Sequence, residues 1–264
     1  MHAAKSAALV LRDDNEGIAT LTLNRPAARN ALSMAMMAAL IEALDAVDAD
    51  PSVKVVVIAA EGPAFCAGHD LKEMRGLGLD AEKLGAVFAR CSQLMLRMQT
   101  IRQPLIARVH AMATAAGCQI VATADLAIAA EGVRFATPGV NIGLFCSTPM
   151  VALTRNIGRK QAMEMLLTGE TIDAAAAERF GLINRAVPAA ELDGAVLALA
   201  RRIASKSPLT LAIGKEAFYR QAEKPVEDAY AYASAVMTRN MLARDAQEGI
   251  GAFIEKREAV WTGC

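Results

Sequence analysis

The chain has 264 residues, 54% of them hydrophobic, with 28 Lys+Arg balancing 28 Asp+Glu for a formal net charge of zero. That length and apolar content supply one large α/β core, and the neutral balance excludes the basic footprint of a nucleic-acid binder. Cys66, Cys91, Cys118, Cys146 and Cys264 form no C-x-x-C pair and no metal spacing, which argues for a reducing, cytoplasmic setting and against a disulfide framework or a metal site. Met1 to Ser6 carry no apolar signal core, and no apolar run reaches the length of a membrane span, so no membrane partner is expected.

In chain order, residues 7–11 and 18–23 alternate as strands around Asp13-Asp14-Asn15-Glu16-Gly17, which predicts an opening hairpin. Ser33 caps a helix to about Ala49, with Met36, Met37, Leu40, Leu44 and Val47 on its apolar face and Asp50-Pro51 as its stop. Residues 53–59 (VKVVVIA) read as a buried parallel strand. A helix over 81–100 follows, with Leu84, Phe88, Cys91, Leu94 and Met98 near helical spacing. Then come a strand at 105–109, a short helix at about 117–124 and a strand at 126–129. Repeated strand, helix and strand with short connections predict stacked right-handed crossovers. From about Thr148 the chain reads as mostly helical, broken near Gly158, Gly169, Gly181, Pro188, Pro208 and Pro225. The apolar faces of those helices predict packing on the core or on other subunits.

Two small-residue turns carry the chemistry. Phe65-Cys66-Ala67-Gly68-His69-Asp70 and Ala115-Ala116-Gly117-Cys118-Gln119 each follow an apolar strand and precede a helix. Such turns leave backbone N–H groups unpaired at a helix N-terminus, where partial positive charge accumulates. Facing one another, they would form an oxyanion hole for charge developing on a carbonyl oxygen.

The same stretches resemble the enoyl-CoA hydratase/isomerase (crotonase) superfamily over nearly the whole chain. The resemblance rests on Asn24-Arg25-Pro26 with Asn30-Ala31-Leu32, on Phe65 through Met74, and on Gly117-Cys118. It continues through Leu166-Leu167-Thr168-Gly169, Gly181-Leu182-Ile183 and Glu248 through Arg257. Within the superfamily the residues around Gly117 and Pro138 are similar to the enoyl-CoA hydratase domain-containing proteins. The resemblance implies an α/β fold built as a ClpP-like spiral of ββα units over residues 1–190. It also implies a helical region at 191–264 that assembles homotrimers, or hexamers as dimers of trimers.

An acyl-CoA thioester is the implied ligand, with coenzyme A arriving as part of the substrate and no permanently bound cofactor. The implied oxyanion donors are the N–H groups of His69 and Ala116. Ala28, Arg29, Ala67, Gly68, Asp70, Leu71 and Gly117 would line the CoA path. Phe253 and Lys256, from a neighbouring subunit, would meet the nucleotide end.

The chain departs from the family at the acid–base pair. Hydratases of the family use two glutamates, and at those positions this chain has Gln119 and Gly139. Gln exchanges no proton near neutral pH, and Gly has no side chain to offer. The substitutes to weigh are His69, Glu73, Cys146 and Ser147. For Asp70 and His110 the expectation is structural hydrogen bonding, and for Ser147 or Thr148 a helix cap. Two functional readings stand: an enzyme acting on acyl-CoA by isomerisation, a lyase step or thioester hydrolysis, and a non-catalytic acyl-CoA-binding or regulatory protein.

Overall fold

A computed structural model describes residues 8–264. The first strand pair is β1 (Val10–Asn15) and β2 (Ile18–Leu23). The hairpin turn is tighter than expected: β1 runs on to Asn15, leaving Glu16-Gly17 to turn the chain with φ of 53° and 74°. A two-residue turn with both φ values positive matches the twist of antiparallel strands. Ala7, the expected start of the strand, and the N-terminal residues 1–6 lie outside the described residues.

Next come α1 (Met34–Ala49), capped by Ser33 through its Oγ and the Met36 N–H, and β3 (Val55–Ala60), buried throughout. Then follow α2 (Leu71–Gly76), α3 (Ala81–Thr100), β4 (Leu105–Val109), β5 (Ala113–Thr114) and α4 (Ala116–Thr123). After these lie β6 (Leu126–Ala130), β7 (Arg134–Ala136), α5 (Ser147–Leu153), α6 (Arg159–Thr168), β8 (Ile172–Asp173), α7 (Ala174–Phe180) and β9 (Arg185–Val187). The chain closes with α8 (Leu192–Ala204), α9 (Pro208–Ala222), α10 (Val226–Met241) and α11 (Arg244–Glu255). The region after Thr148 is therefore not purely helical. β8 and β9 are two and three residues long, too short for hydrophobic periodicity to announce them.

Among the described residues the main sheet runs β1-β2-β3-β4-β6-β9, antiparallel only between β1 and β2. Its alternation sorts the side chains: Ala19, Leu21, Leu23, Val56 and Ile58 are fully buried in the core. Their neighbours Thr20, Thr22, Val57 and Ala59 line a cleft under Val196, Leu197 and Ala200 of α8. A second ladder runs alongside. β5 pairs with β7 and β7 with β8, and single bridges join Leu32 to His69 and Cys66 to Ala113. Each turn of the spiral thus adds one step to both ladders, and the second ladder stacks the two small-residue turns on consecutive levels.

Helix α9 is fastened to this core by a buried charge. Lys215, with only 6% of its side chain exposed, reaches Asp125 at 2.7 Å and the Met98 and Gln103 carbonyls at 2.9 and 3.0 Å. The Tyr219 hydroxyl donates to the other Asp125 oxygen at 2.7 Å, and the Leu105 N–H to the first. A buried ammonium is tolerated when its donors are satisfied in this way. Asp245, also buried, collects the Ser207 hydroxyl and the N–H groups of Thr262 and Gly263, folding the C-terminal residues back onto α9.

Candidate active site

The two turns meet. A Cβ placed on Gly68, whose φ is +92°, would stand 2.8 Å from the Ala115 Cβ and 3.3 Å from the Ala116 nitrogen. One on Gly117 would collide with the Cys66 carbonyl oxygen. Both glycines are needed because backbone passes against backbone. The contact is stitched by the Phe65 N–H to the Met112 carbonyl (3.0 Å) and the Thr114 N–H to the Cys66 carbonyl (3.0 Å).

At the junction Ala115 takes φ 50°, ψ −119°, held there by its N–H to the Ala136 carbonyl at 2.9 Å. A non-glycine residue in that region costs about 1–3 kcal/mol, a strain that clusters at functional turns. Among the described residues, no backbone acceptor takes the N–H of His69 or of Ala116. Two uncommitted donors therefore lie side by side, one of them at the positive end of a wholly buried helix.

The expected CoA-lining residues gather around the first turn. The Ala67 N–H donates to the Arg29 carbonyl at 3.0 Å, which sets Ala28 and Arg29 against Ala67 and Gly68. Arg29 and Asn30 are both left-handed, with φ of 51° and 53°. The buried Asn30 carboxamide holds them: it donates to the Glu61 and Ala64 carbonyls and accepts from the Arg25 N–H. The sequence places Asn30 in a family motif without a role; its left-handed backbone and the three bonds closing on its side chain supply one. The Arg29 side chain is exposed and makes no ion pair among the described residues. Leu71, which opens α2, is also exposed. Phe253 and Lys256 sit on α11 and at its C-terminal cap, both exposed; α11 packs on α9 and α10 of its own chain.

The carboxylates near the site are already engaged. Asp70 accepts the Lys72 and Glu73 N–H groups and pairs with Arg25 at 2.7 Å, which holds its carboxyl below the ordinary range. Glu73 reaches back to accept the Met34 N–H at 2.9 Å, capping the start of α1. His110 makes its structural bond through Nε2 to the Gly62 carbonyl at 2.8 Å.

The cysteine and hydroxyl candidates are no better placed. Burial pushes the Cys66 and Cys118 thiols up to about 12 and Cys91 to about 11, and it raises Cys146 as well. Thiols so shifted stay protonated and unreactive near neutral pH. Ser147 does not cap α5, nor does Thr148. Cys146 occupies the cap position, and the Ser147 hydroxyl points back to the Phe145 carbonyl at 3.4 Å.

Of the two lost glutamate positions, Gln119 lies in the first turn of α4 with 5% exposure; its Oε1 accepts from the Cys91 thiol at 3.8 Å. Gly139 is enclosed. A Cβ there would collide with the Leu144 carbonyl oxygen and stand 2.9 Å from the Cys146 sulfur. The His69 ring meets Phe88 edge-on, centroids 5.5 Å apart, and burial lowers its pKa, so the imidazole is neutral at pH 7. Phe88 serves this contact rather than the core, and Val87 takes the buried place beside it.

A spiral of this topology with paired backbone donors defines an enoyl-CoA hydratase/isomerase protein, and the chain belongs to that family, whose match covers residues 13–264. It is 46% identical over 248 residues to enoyl-CoA hydratase domain-containing protein 3, mitochondrial, of Rattus norvegicus, covering 94% of this chain and 82% of that one. Among solved structures, an enoyl-CoA hydratase from Mycobacterium smegmatis superposes with a TM-score of 0.94 at 53% identity, over 96% of this chain and 98% of that one. Human enoyl-CoA hydratase domain-containing protein 3 gives 0.92 at 44%, over 96% and 100%. The rat relative is named mitochondrial, which lends the expected cytoplasmic setting no support. Among the described residues no helix is long and apolar enough to cross a membrane.

Proposed function

We propose that the two turns bind the carbonyl of an acyl-CoA thioester and hold the oxyanion or enolate that develops on it. The observation that carries this reading is the pair of uncommitted N–H groups on His69 and Ala116, on turns in direct contact. Preorganised backbone donors in a site largely closed to water are the main stabilisers of such charge. The unpaired Arg29 offers positive charge beside Ala28, Ala67 and Gly68 for the CoA phosphates, and Lys256 offers the same from a neighbouring copy. That arrangement needs a neighbouring copy, and the assembly we propose is a homotrimer, or a hexamer of two trimers. The exposed Phe218, Tyr230, Met237, Phe253 and Ile254 on the C-terminal helices favour such an assembly.

The reaction is a step of acyl-CoA metabolism other than ordinary hydration: isomerisation, a lyase step or thioester hydrolysis. A positioned acid or base contributes roughly 10²–10⁴ in rate, and neither Gln119 nor Gly139 can act as one. A second reading, a non-catalytic acyl-CoA-binding or regulatory protein, is favoured by one observation: both nearby carboxylates, Asp70 and Glu73, are spent on caps and an ion pair.

Calorimetry of the purified protein with acetyl-, crotonyl- and longer acyl-CoAs tests the site, and absence of binding across the series overturns it. Mass-spectrometric screening of the same thioesters separates the two readings. Turnover of any of them supports an enzyme, whereas binding without turnover supports the ligand-binding protein. Hydratase turnover near that of efficient relatives would refute this reading of the acid–base positions.

A further inference from the structure

Beside the two donors stand polar side-chain atoms that the protein itself leaves unused. The Nε2 of His69 is buried and has no hydrogen-bond partner. On α4, Gln119 commits its Oε1 to the weak Cys91 contact. Its Nε2 bonds to no described residue and is not sealed from solvent. The two side chains lean on one helix face, since Phe88 (against His69) and Cys91 (against Gln119) stand three residues apart on α3. His69 also carries the first oxyanion N–H, and Gln119 follows the second by three residues. Both unused atoms therefore belong to the two turns that carry the donors, and both side chains rest on α3.

Buried polar groups in native proteins are almost always paired, and an exception calls for a water, an ion or a ligand. A hydrocarbon chain would leave both groups unpaired. An acceptor oxygen would satisfy them, because a neutral imidazole with its proton on Nε2 donates from that atom and a carboxamide donates two N–H groups. Asp70 and Glu73, the nearby carboxylates, are engaged elsewhere and do not compete.

We propose that His69 and Gln119 together read an acceptor oxygen on the acyl group, so the site selects oxygen-bearing acyl thioesters over plain hydrocarbon ones. The selection rests on the thioester-binding reading above. A site built to hydrogen-bond an oxygen rejects the analogue lacking it far more strongly than an apolar pocket rejects a missing methylene. A ketone and a carboxylate both supply such an oxygen, with lone pairs for these donors.

Calorimetry with butyryl-CoA, acetoacetyl-CoA and malonyl-CoA tests the proposal, because the three share the CoA portion and differ in acyl oxygen. The expected result is that at least one oxygenated thioester binds about tenfold or more tighter than butyryl-CoA. Tighter binding of acetoacetyl-CoA identifies a neutral oxygen, and tighter binding of malonyl-CoA a carboxylate. In His69→Phe and in Gln119→Leu that ratio should fall toward one, and circular dichroism verifies that each variant is folded. If one variant does not fold, the other decides. Equal affinity for all three thioesters overturns the selection alone, as does a ratio preserved in a folded variant. Failure of all three to bind overturns the thioester reading as well.

Discussion

His69 does two separate jobs with one residue. Its backbone N–H is the proposed oxyanion donor, while its ring is a partly buried neutral imidazole whose pKa lies below the ordinary 6.5. The lowering comes from desolvation, with no charged partner to offset it. The unfolded chain therefore binds a proton at 6.5 while the folded chain still resists it. Unfolding takes up that proton, so stability is full above about pH 6.5 and declines as the pH falls from there toward the lower, folded-state value. The expected outcome is that the melting temperature of the protein drops more between pH 7 and pH 5.5 than that of His69→Phe. Parallel pH profiles for the two proteins would show that the ring titrates as it does in water. Most of the carboxylates whose pKa values are shifted are moved downward by arginines or backbone N–H groups, as at Asp70 and Glu248, so their contributions are lost only at more acid pH.

At the scale of elements, the connection from β7 to α5 explains why the second carboxylate position is not simply vacant. Its turn closes with the Leu144 N–H on the Gly139 carbonyl at 2.9 Å, and the loop folds over the Gly139 Cα. A side chain there must push the loop open. Gly139→Ala should cost about 1–3 kcal/mol, the usual range for overpacking a tight site, read as a lower midpoint in urea unfolding. Full stability in Gly139→Ala would mean that the loop yields freely. Restoring a glutamate at Gly139 is then a change of backbone as well as of side chain. Gln119→Glu is the milder substitution, because α4 already presents that side chain toward α3. The α4 helix is itself braced at both ends, by the strained Ala115 before it and by Asp125, just beyond it, which receives Lys215 and Tyr219 from α9.

At the scale of the whole molecule, the described surface is unevenly finished. Phe253 is 86% exposed at the end of α11, and Tyr230, Met237 and Phe218 are exposed on α10 and α9. The C-terminal residues are strapped down close by, with Asp245 holding Thr262 and Gly263. A rigid scaffold bearing large exposed apolar groups is the pattern of a surface covered by another chain. Light scattering at micromolar concentration should report assemblies of three or six chains, and a stable monomer would contradict the arrangement. If Lys256 reaches the nucleotide of a neighbour, Lys256→Glu should weaken CoA binding while leaving unfolding unchanged.

The sequence by itself determined what depends on local pattern. Ser33 ahead of Met36 and Met37 specified the start of α1, and the β-branched run at 55–58 specified a strand buried on both faces. The glycines at 68 and 117, each in a small-residue context, marked the two turns. The family was legible for the same reason, since motifs are contiguous in the chain. What the sequence left open was what depends on residues brought together from a distance. Glu73 was a candidate acid only until α1 was seen to present its Met34 N–H to it. The sequence shows at Gly139 only a residue without a side chain; that the Leu144 carbonyl stands against it is visible only in the fold. Nothing in the sequence around Asn30 shows that Arg25, Glu61 and Ala64 converge on it, and nothing in the α3 pattern shows that Phe88 turns toward His69. Hydrophobic periodicity reports which face of a segment is buried; which polar group finds a partner, and which is left for a ligand, is settled only when the spiral stacks one turn on the next.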